Sequence, residues 1–301
     1  MSRVKQIQTI ALTAIAPIVW GSTYIVTTEA LPADSPLIAS TVRALPAGIL
    51  LVLLSRAWLT GMWWARMAAL GFLNIGLFFY CLFYAATYLP GGMASLVMSS
   101  QPVLVMLMSW YLLKAKFTPL QLSATIVGIS GVALLVLNST AELNVEGLLI
   151  AILGTFSMAL GVVLTKKWGR PTGVSMLGFT GWQLLFGGFM LMPIALWIEG
   201  VPSDLTLVNY TGYLYLSVVG AIVGYFLWFN GIEKLAPVTV SFLGFLSSVS
   251  ACFLGYFILE QTLTLTQLLG ASAILISIIM AAPRAAKKTK TQLTLQTEKG
   301  N

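Results

Sequence analysis

The residues able to do chemistry in this chain are few, and what is missing narrows the options as much as what is present. There is no histidine, and the two cysteines, Cys81 and Cys252, each sit inside an apolar run. No imidazole ligand set or disulfide framework follows from them, so no catalytic residue, metal site or cofactor is expected. What remains is a set of aromatic and neutral polar side chains at helical spacing. Tyr80 and Tyr84 fall on one stripe with Leu73, Leu77 and Thr87, which stacks two phenols a turn apart. Trp20 and Tyr24 repeat that spacing, Trp182 adjoins Gln183, and Trp228 and Asn230 follow Tyr225 and Phe226. Ser99 and Gln101 lead into Pro102, and Ser248 shares a face with Ser241 and Phe245. Ring faces attract an ammonium and cover an apolar group, while hydroxyls and amides orient a polar end, so the set suits a small zwitterion or amphiphile. Arg43 stands apart, about seven residues into an apolar run and roughly 10 Å deep at the helical rise. An arginine there meets a substrate carboxylate, snorkels outward or ties backbone carbonyls. Trp20, Tyr24, Arg43, Tyr80, Tyr84, Ser99, Gln101, Trp182, Gln183, Trp228, Asn230 and Ser248 are the expected substrate-contacting residues.

The elements that must hold these side chains are apolar. Hydrophobic residues make up 58% of the 301, charged residues only 8%, and the mean hydropathy is +0.92. Too few charges are present to coat a soluble surface, so a soluble multidomain enzyme is excluded and a lipid bilayer is the expected surrounding. A helix crossing the hydrocarbon needs about 20 mostly apolar residues. Ten such runs are predicted, at 8–28, 36–55, 66–88, 92–113, 119–138, 147–166, 174–198, 208–231, 237–258 and 263–282. The first is too long for the apolar core of a secretory signal and is kept as a helix. Pro46, Pro102 and Pro193 fall inside runs and are expected to kink them, while Gly220 and Gly224, Ser95 and Ser99, and Gly154 and Gly161 offer small faces for helix packing.

The net charge of +7 separates by side once these runs are drawn. Fifteen of the 16 basic residues fall on one side: Arg3, Lys5, Arg56, Arg66, Lys114, Lys116, Lys166, Lys167, Arg170, Lys234, Arg284, Lys287, Lys288, Lys290 and Lys299. The other side carries Glu29, Asp34, Glu142, Glu146, Glu199, Asp204 and Glu260 and no Lys or Arg. The positive side is cytoplasmic, so both termini are expected in the cytoplasm. The charge thus reads as topology, not as a nucleic-acid surface, and residues 284–301 read as a solvated basic tail.

A shift of 146 residues lays Phe79–Leu137 over Tyr225–Pro283 without a gap, pairing Thr118 with Thr264 and Gln121 with Gln267. A shift of 140 brings Gly21 onto Gly161 and Arg43 onto Gln183. Five runs per unit is an odd number, so the second unit must insert upside down. The expected fold is therefore all-α and integral to the membrane, with ten transmembrane helices as two inverted five-helix repeats, residues 1–140 and 141–283. Inverted repeats around a midplane site are an architecture of secondary transporters.

With Trp20-Gly21-Ser22, Arg43, the stretch Ala94 to Pro102, Ala236-Pro237-Val238 through Leu259-Glu260, and Gln267 to Gly270, the sequence resembles the drug/metabolite transporter superfamily, specifically its EamA-type exporters. Lys114 and Lys116 depart from that pattern, standing where many relatives carry a Glu. The resemblance implies a multi-pass protein of the bacterial inner membrane that exports amino acids or other small metabolites, and it looks most like the aromatic amino-acid exporters. The function expected is alternating-access export of aromatic or other neutral amino acids around a midplane aromatic cavity, by a monomer or weak dimer. A broad-specificity drug or metabolite efflux carrier is the alternative. An intramembrane enzyme has no residues on which to run its chemistry, and a channel lacks a polar stripe. No Asp or Glu is predicted at mid-membrane, so transport is expected to be facilitative or weakly coupled.

Overall fold

In the computed structural model, residues 3–32, 35–88, 97–136, 144–258, 260 and 264–282 are described. The tail 284–301, Ser95, and the side chains of Tyr24 and Thr87 lie outside them. Every regular element among the described residues is a helix. In hydrocarbon each backbone N–H and C=O must find its partner within the chain, and a helix does so locally. The protein is an all-α membrane protein. Six helices are long and apolar enough to cross a bilayer: Pro36–Ser55, Trp63–Leu82, Val145–Trp168, Met176–Ile198, Leu207–Lys234 and Pro237–Ile258. Shorter apolar helices run Gln101–Leu113, Pro119–Leu135 and Leu265–Ala281, and the N-terminal one is Arg3–Gly21, continued by Thr23–Ala30. Their outer faces carry large exposed apolar side chains, such as Leu53 at 68%, Trp197 at 87% and Ile279 at 74%, which lipid covers.

Helix starts follow from short polar signals. Thr264 and Gln267 cap the Leu265 helix reciprocally, the Gln267 Oε1 accepting from the Thr264 N–H at 3.0 Å while the Gln267 N–H donates to the Thr264 hydroxyl at 3.3 Å. Thr118 and Gln121 make the same reciprocal pair, at 2.9 and 3.2 Å, where the Pro119 helix begins. These are the residues that the 146-residue shift superposes.

Two helix pairs pack most extensively: Pro36–Ser55 against Met176–Ile198, and Pro119–Val136 against Leu265–Ala281. Glycine makes the first pair close. A methyl group on Gly48 would fall 2.3 Å from the Leu185 backbone nitrogen, and one on Gly188 would fall 2.7 Å from that of Leu45. The contacts are reciprocal, since the 140-residue shift takes Gly48 to Gly188 and Leu45 to Leu185.

Several helices depart from straight α geometry at matched places. The Gln101 helix is preceded by a turn at Ser99–Ser100, and the Pro237 helix breaks at Gly244–Phe245 before resuming at Leu246. Pro102 therefore opens a helix instead of kinking one, because its missing N–H would be unbonded in the first turn anyway. Pro46 and Pro193 do lie inside their helices. Two π-helical stretches, Phe72–Gly76 and Leu216–Val223, interrupt the third and eighth predicted runs at equivalent depth.

Candidate functional site

One large cavity, of about 990 Å³, opens among these irregular segments. Its walls come from the N-terminal helix around its break at Ser22, the Pro36–Ser55 helix, the Leu77–Tyr88 helix and the two broken segments at Ser99 and Gly244. Broken helices are tolerated at membrane depth only beside protein or a water-filled space, which is what this cavity supplies. The rim is formed by Leu31, Pro32, Ser35, Leu37, Ile198 and Glu199, the end of the molecule where the acidic residues cluster.

An aromatic wall runs through the cavity. Trp20 lies between Tyr225 and Trp228, with ring centroids 4.9 and 5.1 Å away, and Tyr225 continues to Phe79 at 6.2 Å. Phe79 and Tyr225 are superposed by the 146-residue shift. Symmetry-related residues that touch each other lie on the axis relating them, so an axis relating the halves would pass through this wall.

Arg43 stands at the end of the wall. It is 5% exposed, its Cζ lies 5.2 Å from the centre of the Phe79 ring, and its Nη2 donates to the Gly220 carbonyl at 3.2 Å. The Trp20 Nε1 donates to the same carbonyl at 2.9 Å. Gly220 lies within the second π-helical stretch, and its carbonyl oxygen accepts from both side chains. Arg43 Nη1 adds a 3.4 Å hydrogen bond to Thr23 Oγ1, and its Nε has no partner. The guanidinium therefore ties backbone, its unpartnered Nε lies buried against Gly220, and no carboxylate pairs with it among the described residues.

Of the twelve residues singled out from sequence, the structure brings Trp20, Arg43, Tyr84, Ser99, Gln101, Trp228 and Ser248 to the cavity lining. Tyr80 stacks on Tyr84, with centroids 5.5 Å apart and planes 13° from parallel, but does not itself line the space. Three residues stand elsewhere. Trp182 packs edge-on to Trp64, and its Nε1 donates to the Ala57 carbonyl at 2.9 Å near the basic end. Gln183 is fully buried, its Oε1 accepting from Asn74 Nδ2 at 2.8 Å, and Asn230 is half-buried outside the lining. The aromatic spacing marks a helix face, but cannot say whether that face meets the cavity or the packed opposite end. Tyr24 belongs to the side chains not described.

Phe79, Tyr225 and Glu199 line the cavity and are not among the twelve. The first two head the 146-residue alignment, which is the signal that could have found them. Glu199 gave no local signal. At the end of the Met176–Ile198 helix it reaches across to the Pro36 helix, where its two oxygens accept from the N–H groups of Leu37 and Ile38 at 2.8 and 2.7 Å. A carboxylate is favoured there by the unpaired N–H groups of a helix start.

The opposite end is closely packed, with a small pocket of about 80 Å³ beside Thr165, Arg170 and Glu233. Asn74 Nδ2, in the first π-helical stretch, bonds Thr165 Oγ1 at 3.2 Å as well as Gln183. Arg170 pairs with Glu233 at 3.2 Å, and Lys166 Nζ donates to the Glu233 carbonyl at 2.7 Å.

Comparison with known proteins agrees with this arrangement. The EamA-like transporter family matches the chain over residues 7–137 and again over 145–282. The protein PecM of Dickeya dadantii is 49% identical over 265 residues, covering 88% of this chain and 89% of that one. A Bacillus subtilis protein named as an uncharacterized transporter, YvbV, is 27% identical across 93% of both chains. A solved crystal structure superimposes with a TM-score of 0.79 over 92% of this chain and 96% of its own, at 15% identity, so the fold is shared. By these matches over almost its whole described length, the chain belongs to the EamA-like transporter family.

Proposed function

We propose that this family member is a secondary carrier that exports aromatic or other neutral amino acids and related small metabolites by alternating access around the cavity. The observation that carries the reading is the cavity itself. It is lined by Trp20, Tyr225 and Trp228, bounded by broken helices, and flanked by a buried Arg43 with a free Nε donor. Discontinuous helices meeting at the midplane are how transporters place a polar site inside lipid. The aromatic wall would cover an apolar side chain, and Arg43 would meet its carboxylate.

The reciprocal Gly48–Leu185 and Gly188–Leu45 contacts, and the matched breaks at Ser99 and Gly244, support two inverted five-helix units, residues 1–140 and 141–283, with ten crossings. With the basic side cytoplasmic, both termini face the cytoplasm of a bacterial inner membrane and the cavity opens outward. The carrier works as a monomer or weak dimer, with a small molecule as its partner. Inward opening then requires separation of the Arg170–Glu233 and Asn74–Gln183 contacts.

A volume of about 990 Å³ also leaves room for larger drugs, which is the second reading. A competition panel of amino acids and drugs against labelled phenylalanine flux in proteoliposomes tests the two. Saturable flux inhibited by aromatic amino acids supports the first, and equal inhibition by unrelated drugs supports the second. With no free carboxylate deep in the cavity among the described residues, collapse of the proton gradient should leave exchange flux intact. Flux that stops with the gradient would contradict facilitative transport.

A further inference from the structure

Three hydrogen-bond donors at the cavity are buried and unpartnered: Arg43 Nε, Gln101 Nε2 and Trp228 Nε1. A buried donor without a partner costs about 1–3 kcal/mol, and native proteins hold few of them. Three around one cavity imply that the partner arrives from outside. They are also neighbours. Trp20 touches Trp228 and shares the Gly220 carbonyl with Arg43, so the indole of Trp228 and the guanidinium both neighbour Trp20. A methyl group on Gly244 would lie 3.8 Å from the Gln101 Oε1 and 4.0 Å from the Trp228 Cη2, so both side chains border Gly244 at the broken segment.

The lining offers little to a cation. Among the described residues its one carboxylate, Glu199, has both oxygens committed to the N–H groups of Leu37 and Ile38. Among the described residues Arg43 is the lining's one cation, and no carboxylate compensates it. In a site partly shielded from water, that charge attracts an anion and repels an ammonium placed against the same wall.

We propose that the cavity selects aromatic compounds that carry a carboxylate and a second oxygen acceptor but no ammonium, such as aromatic 2-oxo acids and N-acylated aromatic amino acids. This rests on the carrier reading above and narrows its substrates from amino acids to related small metabolites that lack the ammonium. The carboxylate takes the Arg43 guanidinium, the second oxygen takes the Gln101 amide or the Trp228 N–H, and the ring lies along Trp20 and Tyr225. Free amino acids would be accepted less well, because their ammonium enters a donor-rich space, and aryl amines least.

The test uses the full-length protein in proteoliposomes and three matched probe sets: phenylpyruvate and N-acetylphenylalanine, phenylalanine, and phenethylamine, each tested as inhibitor and as counterflow substrate. The acids are expected to bind at least tenfold more tightly than the amine and more tightly than phenylalanine. Trp228→Phe, which removes one N–H and keeps a ring, is expected to weaken the acids several-fold more than it weakens the amine. Gln101→Glu is expected to reverse the order of acid and amine. Thermal-shift binding of the same probes to each variant separates loss of recognition from loss of folding. Amine binding equal to that of the acids, or phenylalanine preferred to its 2-oxo acid, would overturn this inference and leave the carrier reading standing. A protein that neither binds nor moves any of the probes would overturn both.

Discussion

Arg43 and Gly220 are joined by a 3.2 Å hydrogen bond from the guanidinium Nη2 to a carbonyl inside a π-helical stretch. The 140- and 146-residue shifts map this pair onto Gln183 and Asn74, which are themselves joined at 2.8 Å in the other π-helical stretch. One junction faces the open cavity and the other is sealed. The cationic member of the pair stands at the open one.

Arg43→Gln should keep a donor for the Gly220 carbonyl but lose the charge and the Nε donor. Hydrogen bonds to charged groups contribute about 1.5–3 kcal/mol, so the KM for a carboxylate substrate should rise roughly ten- to hundredfold. Saturation kinetics of counterflow check this. Unchanged KM would assign Arg43 to holding the backbone alone.

Thr165→Cys, with Cys81 and Cys252 replaced by alanine, probes the sealed junction. A membrane-impermeant maleimide on the basic face should label it only when substrate is cycling, while a reference cysteine at the exposed Lys167 labels at all times. Failure of Thr165→Cys to label under transport would show that this end does not open.

Gly48→Val should destabilise the protein, because the added carbons meet the Leu185 backbone at 2.3 Å. Overpacking costs typically about 1–3 kcal/mol and more where backbone must move. Thermal unfolding in detergent should show a clear fall in midpoint, matched by Gly188→Val on the reciprocal contact.

Glu199→Ala removes the cap from two N–H groups of the Pro36 helix, an effect of about 0.5–2 kcal/mol. Because Glu199 also forms part of the rim, the same variant should alter the rate of substrate entry more than its KM. Stopped-flow binding separates the two, and a change confined to KM would place Glu199 in the binding site itself.

Much of the fold could be read from the sequence because lipid imposes simple rules. Apolar runs become helices, Thr-x-x-Gln becomes a cap at Thr118 and Thr264, and basic residues gather at one end. The site was legible in part. Trp20, Arg43 and Trp228 stand out because each is costly to bury without a reason. Trp182 and Gln183 carry the same local signal yet belong to the closed end, since a residue's depth along a helix does not reveal which vestibule is open. Pro102 looked like a kink because a run of hydropathy does not show a helix restarting. Glu199 was invisible, as its partners Leu37 and Ile38 are more than 160 residues away in sequence.

The carrier reading rests most directly on exchange through one shared cavity. Protein reconstituted in liposomes preloaded with unlabelled phenylpyruvate or phenylalanine should draw labelled substrate inward against its gradient, saturably and transiently. Trp20→Ala and Trp228→Ala should abolish this while remaining folded. Linear, unsaturable uptake with no acceleration by internal substrate, or full counterflow in both variants, would contradict transport through this cavity.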